Sequence, residues 1–365
     1  MRVLVVNAGS SSLKLAVVDE GGAVAAGTTV EGWRGEGDLA PLTGFLDGCG
    51  PVDAVGHRVV HGGPRYTGPA VVDDVLVPYL WSISHLAPLH NPRALAGLRA
   101  TGELLPGVPA VACFDTTFHA TLPPAAATYA VPREWNERWH LRRYGFHGLS
   151  HAWAVRRGAE LVGRPAGELR IVSCHLGAGA SLAAVRGGVS VDTTMGFTPL
   201  AGLVMNTRPG TLDPGLLLWL LEHGGVPVTE LSDVLEHHAG LRGLSGTSGD
   251  LREVLAGVAG GDTDCALALD VYLHRLVREV AAMTAAAGGL DLLVMTGGVG
   301  EHAPRVRAAV AGALPFLGLA LDAGRNEAAT ADADVSADGA AARTVVVTAR
   351  EDLEIHRQVR EVLGG

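Results

Sequence analysis

Two short runs of this chain place arginine beside histidine among glycines. Arg58 and His61 lie in Gly56-His57-Arg58-Val59-Val60-His61-Gly62-Gly63, and Arg142, Arg143 and His147 lie in Arg142-Arg143-Tyr144-Gly145-Phe146-His147-Gly148. A third arginine, Arg208, lies in Asn206-Thr207-Arg208-Pro209-Gly210. A guanidinium fork bridges carboxylate or phosphate oxygens, and a histidine adds a donor where negative charge develops. Four glycine-rich turns suit the same chemistry: Asn7-Ala8-Gly9-Ser10-Ser11-Ser12, His175-Leu176-Gly177-Ala178-Gly179, Ser245-Gly246-Thr247-Ser248-Gly249, and Thr296 to Gly300. Glycine lets backbone N–H groups approach an anion closely. Taken singly, each arginine is also what a solvated surface carries, and each turn is what an ordinary loop uses.

Two acids stand at strand ends: Asp115, after Val111-Ala112-Cys113-Phe114, and Glu351, just past the last strand. Either can hold Mg2+, which takes few carboxylates together with waters and substrate phosphates, or cap a helix. The pairs His57/His61 and His147/His151 have the spacing of helical zinc sites, but glycines interrupt both and no HExxH glutamate accompanies them. The P-loop pattern GxxxxGK[ST] is absent, and no GxGxxG opens a first βαβ unit, which disfavours a P-loop NTPase and a dinucleotide enzyme. Cys49, Cys113, Cys174 and Cys265 lie far apart and read as buried free thiols rather than a disulfide framework.

The elements that must carry these residues fill 365 positions, enough for two domains at about 150 residues each. With 48% hydrophobic and 18% charged residues the chain is no disordered tail, and no apolar run approaches the ~20 residues of a membrane span. A net charge of -10 argues against a general nucleic-acid surface, so a bound anion must meet a local cluster. Of the 28 cationic side chains only Lys14 is a lysine, and it falls in the first glycine-serine turn. The apolar run Val3 to Val6 is too short for a signal-peptide core, and a cytoplasmic protein is expected.

One strand-turn-strand pattern occurs twice, at Val3 to Val18 and at Ile171 to Val185, with Gly9 matching Gly177. This repeat predicts two related α/β domains. The first half reads as strands at 23–30, up to Val60 and at 109–114, with helices at 74–84 and 92–105. The second half reads as hairpin strands to Asp192, helices at 213–223, 229–237, 250–255 and 262–287, and a strand at 292–295. That strand enters a glycine turn and a helix from Glu301. A loop or hairpin at 330–343, a strand at 344–348 and a helix at 352–362 close the chain.

In order along the chain, NAGSSSLK, GHRVVHGG, LAPLHNP, FDTTFH, RRYGFHGLSH, DTTMGFTPLAGL and GGVGEH together resemble the acetate kinase family, of the acetate and sugar kinase, actin and heat-shock chaperone ATPase superfamily. The resemblance implies two duplicated actin-like α/β domains, with mixed five-stranded sheets flanked by helices around a nucleotide cleft. The expected division is residues 1–145, joined by the C-terminal helix at 350–365, and residues 146–349. It implies reversible, in-line transfer of the ATP γ-phosphoryl group to acetate, giving acetyl phosphate and ADP, with Mg2+ or Mn2+, by a cytoplasmic homodimer.

By motif match, Arg58 holds acetate, and Val60, Leu89, Phe146 and Pro199 line its methyl pocket. His147 and Arg208 stabilise the transition state, and Asp115 orients Arg58 or metal-bound water. Asn7 and Glu351 hold the metal, and Lys14 meets ATP. His175, Leu176, Gly177, Ala178 and Gly179 take the phosphates, Asp250, Leu251 and Arg252 the ribose side, and Gly298, Val299, Gly300, Glu301 and His302 the adenine. Ala178 stands where the family has Asn, and His302, Pro209 and Arg350 also depart from its pattern. A propionate or other short-chain acyl kinase, or a nucleotide-binding protein of impaired turnover, are the alternatives.

Overall fold

The computed structural model describes residues 1–364 apart from 10, 11, 34, 36 and 37, so Ser10 and Ser11 of the first turn lie outside the described residues. The chain divides into two units: residues 1–120, 146–153 and 350–365, and residues 121–145 with 154–349. The division therefore differs from the one drawn at 145/146. Residues 121–145 go with the second unit, where Arg143 binds the carbonyls of Thr193, Thr194 and Met195. Residues 146–153 go with the first, where Leu149 joins the core.

The first unit holds β1 (Val3–Ala8), β2 (Ser12–Val18), β3 (Val24–Glu31), β4 (Ala54–Val59), β5 (Ala70–Val71) and β6 (Ala110–Phe114), in the order β3-β2-β1-β4-β6-β5. The valine-rich run of β1 is buried on both faces, as a central strand of a sheet with two covered faces requires. Leu4 and Val6 pack with Leu13, Leu15 and Val17, while Val3 and Val5 pack with Ile355 and Val359 of the C-terminal helix Glu351–Leu363. The fully buried Glu354 of that helix is satisfied within it, accepting hydrogen bonds from Arg357 at 2.8 Å and Gln358 at 2.9 Å. Glu351 begins the helix, where the macrodipole favours a carboxylate.

The second unit holds β7 (Arg170–Leu176), β8 (Ala180–Arg186), β9 (Val189–Thr193), β10 (Leu292–Thr296), β11 (Ala333–Asp334) and β12 (Arg343–Val346), in the order β9-β8-β7-β10-β12-β11. Strand for strand this is the order of the first sheet, with the same parallel and antiparallel pairs, so the repeat legible in the hairpins extends over both sheets. The hairpins differ in register: Ala8 faces Leu13, whereas Leu176 faces Ala180 across a turn one residue shorter. The helix Thr263–Ala287 starts at Asp262, whose carboxylate accepts from the N–H groups of Asp264 and Cys265, ends at Gly288 in the left-handed conformation, and lies against β7 and β8.

Each sheet has six strands rather than five. The additional members, β5 and β11, are two residues long, too short for any alternation to register. The glycines at 297–300, read as a turn before a helix, are themselves helical in Gly297–His302. The helix expected at 229–237 is Val228–Asp233 followed by a π-helical turn, Val234–His238. Among the described residues, no helix is long and apolar enough to cross a membrane.

Candidate active site

Strands β1, β4 and β6 run parallel and side by side, and their carboxyl ends bring three side chains together. This is the edge at which ligands bind α/β sheets. Asn7 comes from β1, Arg58 from β4, and Asp115 directly follows β6. Arg58 donates from Nη2 to Asp115 Oδ2 at 2.6 Å and from Nε to Oδ1 at 3.1 Å, while its Nη1 donates to Asn7 Oδ1 at 3.2 Å. The Asn7 amide in turn donates to Glu351 Oε2 at 3.1 Å, and that carboxylate lies 3.7 Å from Arg58 Nε. Asp115 is 1% exposed.

Burial pushes the Asp115 carboxyl above the ordinary Asp range, the Arg58 cation and its hydrogen bonds work the other way, and Glu351 adds to the rise. Burial also disfavours the Arg58 cation, but Asp115 and then Glu351 overcome it and hold Arg58 above its ordinary range. Arg58 is thus a permanent cation whose planar edge is aligned by a buried acid. With Asp115 and Glu351 ionised, the three charged groups sum to one negative charge. The oxygens of Asn7, Asp115 and Glu351 are the hard donors Mg2+ prefers, and the number of carboxylates suits an ion that keeps waters and substrate phosphates, so the residues fit such an ion.

A tripeptide before the helix Gly148–Leu161 meets this cluster. The Gly148 N–H donates to the Asp115 carbonyl at 2.8 Å, and His119 Nε2 donates to the Phe146 carbonyl at 3.1 Å. Gly148 is here because any Cβ would overlap the Asp115 carbonyl oxygen. Between them His147 has φ +57°, a left-handed conformation that costs a non-glycine residue on the order of 1 kcal/mol and signals a position fixed by its surroundings. Phe146 and Val60 are buried, whereas Leu89, expected in the methyl pocket, is exposed. Burial holds His57 at about 3 and both His61 and His119 at about 4, which keeps them neutral.

Lys14 is not in the turn but in β2, exposed between buried Leu13 and Leu15 and directly opposite Asn7. Opposite residues of an antiparallel pair share a face, so Lys14 stands on the face that carries Asn7.

In the second unit, His175 and Leu176 end β7, and Gly177, Ala178 and Gly179 make the hairpin turn. Ala178 is exposed, and its carbonyl accepts from Asn206 N–H at 3.2 Å, tying the turn to the loop that carries Arg208. Arg208 Nε donates to Glu236 Oε2 at 2.9 Å. Pro199 is half buried. Asp250 caps the helix Leu251–Ala259 and also pairs with Arg252, whose side chain is otherwise exposed. In Gly297–His302, Gly298 and His302 are exposed, Val299 and Glu301 half buried and Gly300 buried, and Glu301 Oε1 accepts from Ala349 N–H at 3.0 Å.

Some readings shift. Arg143, taken as a cation for an anion, gives Nη1 to three main-chain carbonyls and Nε to the carbonyl of Ala126. Arg307, which no motif marked, is 1% exposed and donates to the carbonyls of Gly300 and Glu301 and to Asn326, clamping the glycine helix. A buried arginine surrounded by carbonyls rather than acids has no sequence signature. Among the described residues, no cluster of three or more His, Cys, Asp or Glu is placed to hold a metal.

Residues 46–357 match the Acetokinase family. The chain is 45% identical to an acetate kinase of Leifsonia xyli subsp. xyli over 392 residues, covering 99% of this chain and 98% of the relative. It is 40% identical to that of Thermotoga maritima over 398 residues, covering 100% and 99%. Among solved structures it is similar to acetate kinase of Porphyromonas gingivalis, with TM-score 0.92, 33% identity and 99% of both chains covered. It is also similar to a propionate kinase of Francisella tularensis, with TM-score 0.88, 31% identity and 98% of both covered. A ROK hexokinase of Thermus thermophilus, with TM-score 0.50 and 17% identity over both full lengths, shares the fold alone.

Proposed function

Since the chain belongs to the acetokinase family, it is a kinase that acts on a carboxylate with ATP and a divalent metal, and we propose that its acceptor is acetate, held by Arg58. The observation that carries this reading is the state of the Arg58 guanidinium. Asp115 takes its Nε–H and one Nη2–H, and Asn7 takes one Nη1–H. Of five N–H donors two are left, one on each terminal nitrogen, which is the number a carboxylate accepts in a bidentate pair.

Acetate is ionised at neutral pH and has no proton to surrender, so the reaction needs no general base. We assign Asp115 to orienting Arg58. One acetate oxygen attacks the γ-phosphorus in line; the new O–P bond forms as the bond to the β-phosphate oxygen breaks, and ADP leaves with that electron pair. We assign His147 and Arg208 to the charge that spreads over the three equatorial oxygens. Asn7 and Glu351 would hold Mg2+, or Mn2+ in its place, and the ion would supply neutralisation of phosphate charge. Lys14 joins the ATP contacts as a compact point charge. Residues 175–179, 250–252 and 298–302 are assigned to the nucleotide as the family resemblance implies.

The acceptor is tested by following ADP release with acetate, with propionate and with neither. Acetate-dependent release is expected, with kcat/KM for acetate about 10-fold or more above propionate, since an apolar pocket values one methylene at about 1–3 kcal/mol. A preference for propionate would reassign the chain to a longer-chain acyl kinase. ATP binding without acceptor-dependent release would mark a protein of impaired turnover.

We further propose a homodimer. The helix Pro214–Glu222 has no buried residue, yet it presents Leu216, Leu218 and Trp219 to the surface, and Val228, six residues past its end, is exposed as well. Sedimentation equilibrium at micromolar concentration should give twice the monomer mass; a monomer there overturns the proposal.

A further inference from the structure

The loop bearing Arg208 is built on the segment that follows the helix Val228–Asp233. There the chain widens into the π-helical turn Val234–His238, a rare geometry that recurs at functional sites. Four main-chain hydrogen bonds order the region: Met205 N–H to the Arg208 carbonyl, Ala239 N–H to Thr207, Leu241 N–H to Met205 and Arg242 N–H to Asn206, all at 2.9–3.0 Å. Gly240 makes this approach possible. Its φ is +62°, and a Cβ would overlap the Met205 carbonyl oxygen and lie 2.6 Å from that of Arg208.

Glu236, in the middle of the π turn, binds the same dipeptide twice. Its carbonyl accepts from Thr207 Oγ1 at 2.8 Å, and its carboxylate accepts from Arg208 Nε at 2.9 Å. Both members of the ion pair are largely shielded, with side chains 17% and 24% exposed. Because Nε alone is taken, both terminal nitrogens of Arg208 keep their hydrogens for another acceptor. A carboxylate on Nε fixes the plane of the guanidinium, which would otherwise turn with its flexible stem.

We propose that Glu236 is a positioning residue for the phosphoryl transfer: through Nε it sets the direction in which Arg208 presents its terminal N–H groups to the transferring phosphoryl oxygens. The proposal rests on the assignment of Arg208 to that charge. Glu236 itself touches no reacting atom, so its effect belongs in kcat rather than in ground-state affinity.

The test is a double-mutant cycle on the full-length enzyme, with Glu236→Ala, Arg208→Ala and the double variant. Glu236→Ala is expected to lower kcat about 10-fold to 30-fold, with KM for acetate and ATP changed less than about 3-fold. In the Arg208→Ala background the same change should alter kcat less than about 2-fold. Glu236→Gln keeps an acceptor oxygen and should fall between wild type and Glu236→Ala; it carries the test alone if the alanine variant does not fold. Equal losses in both backgrounds, a loss confined to KM, or wild-type kcat in Glu236→Gln and Glu236→Ala alike would overturn the proposal. A separate reading is the 15N-ε resonance of Arg208, assigned by its disappearance in Arg208→Lys. It should shift in Glu236→Gln, and an unmoved resonance contradicts the pairing. If Arg208→Ala leaves kcat intact, the assignment of Arg208 has failed, while this resonance still decides whether Glu236 holds it.

Discussion

Arg58→Ala is expected to lower kcat/KM for acetate by about 10³-fold, because it removes the bidentate partner proposed for the acetate carboxylate from a partly buried site. It should also destabilise the first unit by about 3–5 kcal/mol, since Asp115, 1% exposed, keeps its charge and loses its partner. These two effects separate by pH. Burial already holds the folded-state pKa of Asp115 above the unfolded value, and with Arg58 gone nothing opposes it, so the pKa rises further. A carboxyl shifted that way adds stability at low pH and loses it as pH rises through the folded value. The stability deficit of Arg58→Ala should therefore be smallest near pH 4 and grow toward pH 8, measured by urea unfolding at each pH. A deficit independent of pH would mean that Asp115 is not the carboxyl left uncompensated.

Gly148→Ala should lower kcat at least about 10²-fold although it adds a single methyl group. The added Cβ would overlap the Asp115 carbonyl oxygen and lie 2.9 Å from Phe118 Cβ, and neither neighbour is the far end of a flexible chain. The backbone must move, the Gly148 N–H to Asp115 hydrogen bond breaks, and His147 leaves its fixed left-handed position. A displacement near 1 Å at a catalytic group can cost about 10²-fold in rate. Alanine at Gly102, a helical glycine with open space around it, is the control and should leave kcat unchanged. Wild-type turnover in Gly148→Ala would show that the 146–148 tripeptide does not set the position of His147.

Much of the first sheet could be read from residue types. The valines of β1, the glycine-serine turn and the apolar residues after it mark a hairpin, but Lys14, read with the turn, lies in β2 between Leu13 and Leu15. Each member of the cluster carried a local signal: Arg58 beside glycines, Asp115 at a strand end, Glu351 at the last helix. Their pairing carried none, because Arg58 and Asp115 are 57 residues apart and Asn7 and Glu351 are 344 apart. The family resemblance joined them where periodicity could not. Glu236, Arg307 and Gly148 escaped for the same reason: their partners are backbone carbonyls or side chains brought near only by folding. Arg143 shows the converse, a cation in the right motif whose Nη1 and Nε the fold has turned to main-chain carbonyls.

The most direct test traps the product. Purified enzyme with Mg2+, ATP, acetate and hydroxylamine should accumulate acetyl hydroxamate in step with ADP, and Arg58→Ala run beside it should form neither at a comparable rate. ADP released without hydroxamate, or hydroxamate formed equally well by Arg58→Ala, would contradict transfer of the phosphoryl group to an acetate held by Arg58.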